Sequence, residues 1–346
     1  MKERLHYVDV CKGILILLVI WQHIPLFAQR SGVDSEVLGN LGWGWSFWFV
    51  CFYMQAFFFA NGYTSNFNKN FKPFLWSCFK ALIIPYIAFA LIGKAFNALL
   101  WGDPDLWIKT AGVGDQVWFF MEESYWFLSA LFIARIVYWF LTRYIKNDYW
   151  RGAAALVVML IGFFLNHIYD GISSDPAHYN NHLHYRNALC MMFFIWGGYY
   201  MSIHKEKMEK YIIYISIAFI VLVIATHLIG KACAPSYTHS CNIPYYRIPL
   251  YIFYATAGTV FMFWVAKIIK ANRVLEYLGK GSLVIYMCHF GFLRLVTKYL
   301  PLVISPYGEV SGVVFFFTTL LLVALLSTAM IWLFNHKYLR VLIGKF

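Results

Sequence analysis

The sequence predicts an all-α fold: a polytopic membrane helix bundle of about ten transmembrane helices with both termini in the cytoplasm. Three observations predict it. Of the 346 residues, 61% are hydrophobic and only 13% are charged, far from the composition of a soluble domain. Apolar runs of about 20 residues, the length that crosses a bilayer, recur along the whole chain. Basic residues collect in alternate loops between these runs, as the positive-inside rule describes.

Ten apolar runs follow one another along the chain. They are predicted near residues 8–28, 43–65, 76–100, 117–141, 152–169, 186–203, 210–229, 247–268, 282–300 and 310–334. The first run carries Asp9 and Lys12 and lacks a small-residue cleavage site after it, so we expect it to remain a helix and not a signal peptide. No loop is long enough for a separate soluble domain. We therefore expect a single membrane domain over residues 1–346.

The loop charges orient these helices. The basic loops around residues 69–72, 143–151, 205–210 and 267–273 fall on one side of the predicted membrane, together with both termini. The opposite loops carry half of the 16 acidic residues, including Asp103, Asp105 and Asp175. The basic side is predicted to be cytoplasmic. The net charge of +12 thus reflects membrane orientation, and no basic patch for nucleic acid is predicted.

The first run places three ionisable residues on one helix face. At about 100° per residue, the eleven-residue step from Lys12 to His23 closes to within roughly 20° of three full turns, with a rise of about 16 Å. Asp9 lies three residues before Lys12 and shares its face. Such groups at membrane depth usually mark a functional site. Two simpler interpretations stay open: Lys12 anchors at the interface, and His23 is a hydrogen-bonded packing residue.

Later runs carry further candidate residues. Lys80 opens the third run, and it is either a cytoplasmic anchor or an anion contact. The fourth run begins with Glu123, Tyr125 and Trp126, and ordinary interface residues could also explain these side chains. Arg135 lies nine residues inside this helix, where it needs water or an acidic partner.

Residues 275–289, LEYLGKGSLVIYMCH, contain Ser282 and a second intramembrane imidazole, His289. Ser282 resembles a helix N-cap, and His289 could be structural only.

No metal site is predicted. Histidines 167, 178, 182 and 184 match no compact metal motif, and the seven cysteines contain no CxxC pair. Cys233 and Cys241 fall in a predicted outer loop, where two nearby thiols can form a disulfide.

Five blocks in order along the chain resemble the acyltransferase 3 family of integral membrane acyltransferases, particularly bacterial carbohydrate O-acetyltransferases described as fucose 4-O-acetylase-like. Lys12-x10-His23 is similar to the family's Arg/Lys-x10-His signature, and FYMQAFFFANGY, KALIIPY, YWFLSALF and LGKGSLVIYMCH are similar to its later blocks. The chain departs from the family at Gln55, Asn61 and Lys80, where Pro, Ser and Arg are commoner.

The resemblance implies transfer of an acyl group, most often acetyl, from cytoplasmic acyl-CoA to a hydroxyl of a surface or exported carbohydrate, in a bacterial inner membrane. Under this interpretation His23 is the general base, supported by Asp9 and Lys12. Lys12, Lys80 and Ser282 would contact the acyl-CoA donor, and Glu123, Tyr125, Trp126 and His289 the carbohydrate. No permanently bound cofactor is expected, membrane lipid is the surrounding partner, and no oligomeric state is specified.

Two other classes stay open. A proton-coupled transporter of a small molecule or lipid-linked sugar could use His23, His289 and Arg135 as a relay, although no inverted repeat is evident. A membrane scaffold protein would not need His23 at all.

Overall fold

The computed structural model describes residues 5–33, 36–44, 49–101, 125–172, 184–228, 245–304 and 311–346, and every regular element in these ranges is helical. The α-helices are α1 (His6–Arg30), α2 (Glu36–Gly39), α3 (Tyr53–Thr64), α4 (Phe71–Cys78), α5 (Ile84–Trp101), α6 (Trp126–Tyr144), α7 (Asp148–Ile172), α8 (Tyr185–Cys190), α9 (Met192–Ile203), α10 (Lys205–Leu228), α11 (Ile248–Ile269), α12 (Arg273–Lys280), α13 (Ser282–Ile304) and α14 (Gly312–Phe334). Two π-helical turns, π1 (Asn40–Gly44) and π2 (Phe79–Ile83), and two 3₁₀ turns, Tyr245–Arg247 and Arg340–Ile343, complete the set. The predicted all-α class is confirmed.

Eight helical stretches in the described ranges are long and apolar enough to cross a membrane. They are His6–Gln29, Phe71–Leu100, Trp126–Tyr144, Asp148–Ile168, Lys205–Thr226, Tyr245–Ile269, Ser282–Val303 and Gly312–Phe334. These eight agree with the predicted polytopic membrane bundle.

The other two predicted runs contain shorter helices. Near 43–65, α3 begins only at Tyr53. Near 186–203, the helix is interrupted at Met191, whose φ of −98° and ψ of 0° leave the α-helical range. The amide of Met191 bonds the carbonyl of Ala188, three residues back, at 3.3 Å, so the chain tightens there before α9 begins.

The described residues group into two compact units, and the single domain predicted over residues 1–346 stays a prediction. Unit one comprises residues up to Phe57, Glu209–Ser236 and Pro249–His336; unit two comprises Phe58–Met208, Tyr237–Ile248 and Lys337–Phe346.

Helix α1 is the centre of unit one, where it packs against α12, α13 and α14. Its apolar side chains Val10, Leu15 and Ile20 are fully buried, and close van der Waals packing of this kind is what holds helices together within a membrane. Near its other end, Trp21 donates from Nε1 to the carbonyl of Leu41 at 2.9 Å and packs edge-on against Phe316. These contacts orient the face that carries His23.

The N-terminal half of α1 and the short helix α12 approach each other backbone to backbone. A Cβ on Gly13 would overlap the carbonyl oxygen of Leu275, and a Cβ on Gly279 would overlap that of Asp9. Only glycine permits this separation, as at other close helix contacts in membranes. Helix α12 starts where the Asn272 side chain accepts the amides of Val274 and Leu275, at 3.1 and 3.0 Å.

Unit two is built around α6 and α7, which pack against α8 and α9. Arg151, at the start of α7, holds the preceding turn: it donates to the carbonyl of Ile145 from Nε at 3.0 Å and from Nη2 at 2.9 Å, and to the carboxylate of Asp148 at 2.8 Å. The C-terminal half of α3 lies against α9, because Gly62 and Gly198 leave room for the backbones at Ile195 and Phe59.

Candidate active site

His23 lies on α1 with its ring held by the helix itself. Its Nδ1 is 2.7 Å from the carbonyl oxygen of Val19, one turn earlier. A carbonyl oxygen can only accept a hydrogen bond, so Nδ1 carries the ring proton. Nε2 is therefore the basic nitrogen of the neutral imidazole. The residue is half-buried, so its ring stands at the edge of the packed core of unit one.

His289 lies on α13 and faces the same place. Its Nδ1 is 2.6 Å from the carbonyl oxygen of Tyr286, which by the same argument leaves Nε2 unprotonated. The side chain is fully buried, and Nε2 has no hydrogen-bond partner in the described part of the chain. Its ring centroid is 5.4 Å from that of His23, at an angle of 66°. The structure thus brings together the two intramembrane imidazoles that the sequence singled out.

An aromatic side chain completes this pair. The ring centroid of Phe290 lies 4.8 Å from that of His23 and 4.3 Å from that of His289. It also lies 5.5 Å from the ring centroid of Phe27. Apolar surroundings lower the local dielectric, which strengthens electrostatic interactions there. Sequence reasoning did not select Phe290, although its position directly after His289 could have suggested it.

Pro25 lies inside α1, two residues after His23, and it has no amide proton to donate to the Trp21 carbonyl. A Cβ on Gly42 would overlap the Pro25 ring, so the π1 turn packs directly on the proline. This places a helix irregularity within one turn of the imidazole.

Asp9 and Lys12 lie on the same helix as His23, nearer to its N-terminus, in unit one. Asp9 is buried at 8% exposure, and Lys12 is half-buried. The helical rise puts Lys12 about 16 Å from His23. Asp9 is the residue whose carbonyl contacts Gly279, so α12 covers this end of α1.

A charged cluster that the sequence did not reveal caps that end of α1. Nδ1 of His6 donates to the Glu276 carboxylate at 2.9 Å, and Nζ of Lys280 donates to the same oxygen at 3.2 Å. The hydrogen bond from His6, and then the Lys280 ammonium, lower the pKa of Glu276 below its usual range. The spacing Glu276 to Lys280 is a helical i, i+4 pair, but the His6 contact could not be predicted locally.

Ser282 is the first residue of α13, in unit one. The predicted cap role falls instead to Gly281, because its carbonyl accepts the Ile285 amide at 3.1 Å and so begins the helical bonding. Gly281 fits there because a Cβ would overlap the side chain of Ile331. Ser282 therefore remains a predicted donor contact without a structural role as cap.

Lys80 lies in the π2 turn of unit two. Its ammonium is 5.2 Å from the ring of Phe346 and 5.8 Å from that of Trp76. Gly344 has a φ of +74°, and a Cβ there would overlap the Lys80 carbonyl oxygen. The C-terminal residues thus pack onto the turn that carries this cation.

Two of the three residues in unit two that are predicted to contact the carbohydrate lie in the described structure. Tyr125 is buried and packs edge-on against Tyr86 with ring centroids 6.2 Å apart. Trp126 begins α6 and is half-buried. Glu123 lies outside the described residues, as do His178, His182, Cys233 and Cys241.

The structure shows the contacts of two residues at which the chain departs from the family pattern. Gln55 is fully buried, and its side-chain amide donates to the Tyr251 hydroxyl at 2.5 Å. Asn61 accepts the Ser65 hydroxyl at 3.1 Å near the end of α3. Among the described residues, no group of three His, Cys, Asp or Glu side chains could hold a metal ion.

Comparison with known proteins identifies the family. Neither a curated protein nor a solved structure matches the chain. A family model does: the Acyl_transf_3 model, described as an acyltransferase domain, matches residues 5–333. The matched range includes both imidazoles, the Lys12 and Lys80 cations and all eight long helices except the last residue of α14. The chain therefore belongs to the Acyl_transf_3 family and is a membrane acyltransferase.

Proposed function

We propose that the protein moves an acyl group, most often acetyl, from cytoplasmic acyl-CoA to a hydroxyl group of a carbohydrate that is exported or displayed at the cell surface of a bacterium. The observation that carries this proposal is the ring of His23. Its Nδ1 donates to the Val19 carbonyl at 2.7 Å, which leaves Nε2 as the base, on a half-buried ring. A sugar hydroxyl is a poor nucleophile near neutral pH and needs such a base.

The reaction follows from that tautomer. Nε2 of His23 takes the proton of the acceptor hydroxyl while its oxygen attacks the thioester carbonyl carbon. The resulting tetrahedral intermediate collapses with cleavage of the carbon–sulfur bond. Nε2 then returns its proton to the coenzyme A thiolate, so that one ester and one thiol replace one alcohol and one thioester. General base catalysis of this kind contributes about 10² to 10⁴ in rate.

His289 supports the imidazolium that His23 becomes. Its unprotonated Nε2 is a buried acceptor, and its ring centroid lies 5.4 Å from that of His23. A lone pair directed into an apolar setting stabilises a nearby positive charge more strongly than it would in water. Tyr125, Trp126 and Glu123 remain the proposed contacts of the carbohydrate, together with His289.

The contacts proposed for the acyl-CoA donor are positively charged side chains. Lys12, with Asp9 one turn away, and Lys80 lie near the helix ends that the loop charges predict to be cytoplasmic. Coenzyme A arrives there as a polyanion, and charge-assisted contacts with phosphate are stronger than neutral ones. Ser282 completes the proposed donor set.

The decisive experiment compares purified His23→Ala and wild-type protein in lipid nanodiscs, with radiolabelled acetyl-CoA and a panel of mono- and oligosaccharides. We expect His23→Ala to lose at least 99% of acetyl transfer. His336→Ala is the matched control, because it removes an exposed imidazole of the same unit, and it should keep full activity. Wild-type activity in His23→Ala would end the assignment.

A second arm of that experiment tests the donor side. Lys12→Ala should weaken binding of coenzyme A by about tenfold, whereas Lys298→Ala, an exposed cation in the same unit, should not. Equal affinities would make Lys12 an interface anchor.

The adjacent imidazoles also favour one competing function, a proton-coupled transporter, because two neighbouring rings can pass a proton between them. A transporter moves its substrate without consuming acetyl-CoA. Release of free coenzyme A thiol that depends on the carbohydrate acceptor separates the two functions.

A further inference from the structure

A pair of hydroxyl groups joins α1 to α13 toward the ends that the loop charges predict to face outward. Oγ of Ser31, the residue directly after α1, is 3.0 Å from Oγ1 of Thr297 on α13. Both residues belong to unit one. The pair lies eight residues beyond His23 in one segment and eight residues beyond His289 in the other. The same two helices therefore carry the imidazole pair and the hydroxyl pair.

The α1–α13 interface keeps one register from the first pair to the second, since 266 residues separate the partners in each. The helical rise puts the hydroxyl pair about 12 Å from the imidazole pair. Between the two pairs lie the rings of Phe27 and Phe290, with centroids 5.5 Å apart. From the predicted cytoplasmic side outward, this interface thus presents imidazoles, aromatic rings and hydroxyl groups in that order.

The helix backbone fixes the hydrogen-bond directions at the outer pair. Oγ1 of Thr297 donates its proton to the carbonyl oxygen of Leu293, one turn earlier, at 2.8 Å. A hydroxyl has one proton, so Thr297 accepts from Ser31, and the Ser31 proton is used in that bond. Linked hydrogen bonds polarise and strengthen one another. The Ser31 oxygen keeps lone pairs that can accept a further hydrogen bond.

The α1–α13 interface is partly accessible along its length. His23, Phe290 and Ser31 are each half-buried, whereas Thr297 is fully buried. The accessible side therefore offers a basic nitrogen, an aromatic ring and a hydroxyl oxygen in succession. Binding sites commonly combine aromatic surface with a few placed polar groups. A sugar, whose ring has apolar faces and a rim of hydroxyl groups, matches that combination.

From this geometry we infer that Ser31 is a specificity-determining contact of the carbohydrate. Its Oγ accepts a hydrogen bond from a hydroxyl of a sugar unit other than the one that is acylated, and Thr297 is a positioning residue that orients this oxygen. The inference rests on the proposed function of His23. The helical rise of about 12 Å exceeds the length of one sugar ring, so a monosaccharide held at His23 does not reach Ser31. The protein therefore favours acceptors of two or more sugar units.

A packing role for the hydroxyl pair makes a different prediction. Hydrogen bonds between hydroxyl groups also hold helices together in membranes. Loss of a packing contact would affect every acceptor equally, because it acts through the fold. Loss of a substrate contact would affect long acceptors and spare the monosaccharide. Acceptor length therefore separates the two roles.

The test measures acetyl transfer by full-length protein in lipid nanodiscs with radiolabelled acetyl-CoA. The acceptor is surface polysaccharide from a strain of the same bacterium that lacks the gene, hydrolysed and separated into fragments of one to four sugar units. For wild type we expect kcat/KM to rise at least fivefold from one unit to the longer fragments. Ser31→Ala should raise the KM for the longer fragments about fivefold, the size of one neutral hydrogen bond, with kcat and the one-unit activity within twofold of wild type.

Three further variants locate the effect at the Ser31 oxygen. Ser31→Thr keeps a hydroxyl and should return the KM for the longer fragments to within twofold of wild type. Thr297→Val removes the group that orients Ser31 and should raise the same KM about threefold. Ser311→Ala is the matched control, an exposed serine of the same unit, and it should leave all fragments unaffected.

The outcomes that overturn the inference are distinct from failure of the proposed function. Equal losses on short and long fragments in Ser31→Ala would make the hydroxyl pair a packing contact. Unchanged KM values for every fragment in Ser31→Ala would remove Ser31 from the acceptor site while the proposed function stands. If wild type acetylates no fragment of any length, the proposed function fails and the inference fails with it.

Discussion

At the scale of single residues, two helical carbonyls determine the chemistry of unit one. Val19 and Tyr286 each accept a hydrogen bond from an imidazole Nδ1, and both rings are thereby held with Nε2 unprotonated. Hydrogen bonds to the second ring nitrogen commonly select a histidine tautomer. The helix backbone thus prepares a basic nitrogen without any carboxylate partner for His289 among the described residues.

Replacing the second imidazole should slow the chemical step. His289→Phe keeps a planar aromatic ring, of somewhat larger volume, but removes the Nε2 acceptor beside His23, so we expect kcat to fall about tenfold while the KM for acetyl-CoA changes less than twofold. This corresponds to about 1.4 kcal/mol of transition-state stabilisation. Steady-state kinetics measure both constants. Cys288→Ala, the preceding residue, is the control, and an unchanged kcat in His289→Phe would reduce His289 to a packing residue.

The Glu276 cluster should make stability depend on pH. Because His6 and Lys280 lower its pKa, Glu276 ionises more readily in the folded protein than in the unfolded chain, where its pKa is about 4.3. The cluster therefore stabilises fully above that pH, and its contribution is lost as pH falls through the lower folded-state pKa.

Thermal unfolding of Glu276→Gln tests this dependence. At pH 7 its melting temperature should lie below that of wild type, and the difference should shrink as the pH falls below about 4. Glu206→Gln removes an exposed carboxylate and should show no such trend. A difference that stays constant with pH would show that the ionised form of Glu276 is not what stabilises the fold.

At the scale of elements, the contact between α1 and α12 depends on two glycines. Gly13 faces the Leu275 carbonyl and Gly279 faces the Asp9 carbonyl, so the two backbones meet without intervening side chains. This close packing holds α12 across the end of α1 that carries Asp9 and Lys12. The position of the proposed donor contacts in unit one therefore depends on this packing of glycines against backbone.

A single methyl group should loosen that contact. In Gly279→Ala the new Cβ meets backbone atoms that cannot rotate away, so we expect a loss of about 2–3 kcal/mol of stability, the upper range for overpacking. Gly39→Ala is the control, because a Cβ there meets nothing within 4 Å. Chemical denaturation in detergent measures both variants. Equal stability of the two would mean that the helices separate at little cost.

At the scale of the whole molecule, the loop charges predict that both termini are cytoplasmic. Reporter fusions or cysteine labelling should find residues 104 and 236 on the outer side and residues 146 and 207 on the inner side, because short loops rich in Lys and Arg stay inside. Labelling of residue 236 from the cytoplasm would reverse the model of donor access, since Lys12 and Lys80 would then face away from acyl-CoA.

Residue patterns along the chain were sufficient for the all-α membrane class, the one-sided stripe of Asp9, Lys12 and His23, and the family. These depend on composition, helical period and short motifs, which are local properties of a sequence. In the described structure the α-helices near 43–65 and 186–203 are shorter than the apolar runs that predict them, because hydropathy alone does not detect the turn before Tyr53 or the irregular backbone at Met191.

Only the tertiary structure decided which distant residues meet. His289 reaches His23, Glu276 reaches His6, and Phe346 reaches Lys80, although each pair is separated by more than two hundred residues in the chain. Such neighbours depend on how helices pack, and packing depends on glycine contacts and side-chain volumes that no local period encodes. For the same reason Arg135 could be recognised from the sequence as a charge inside a membrane span, but its lack of a carboxylate partner among the described residues became visible only in the folded chain.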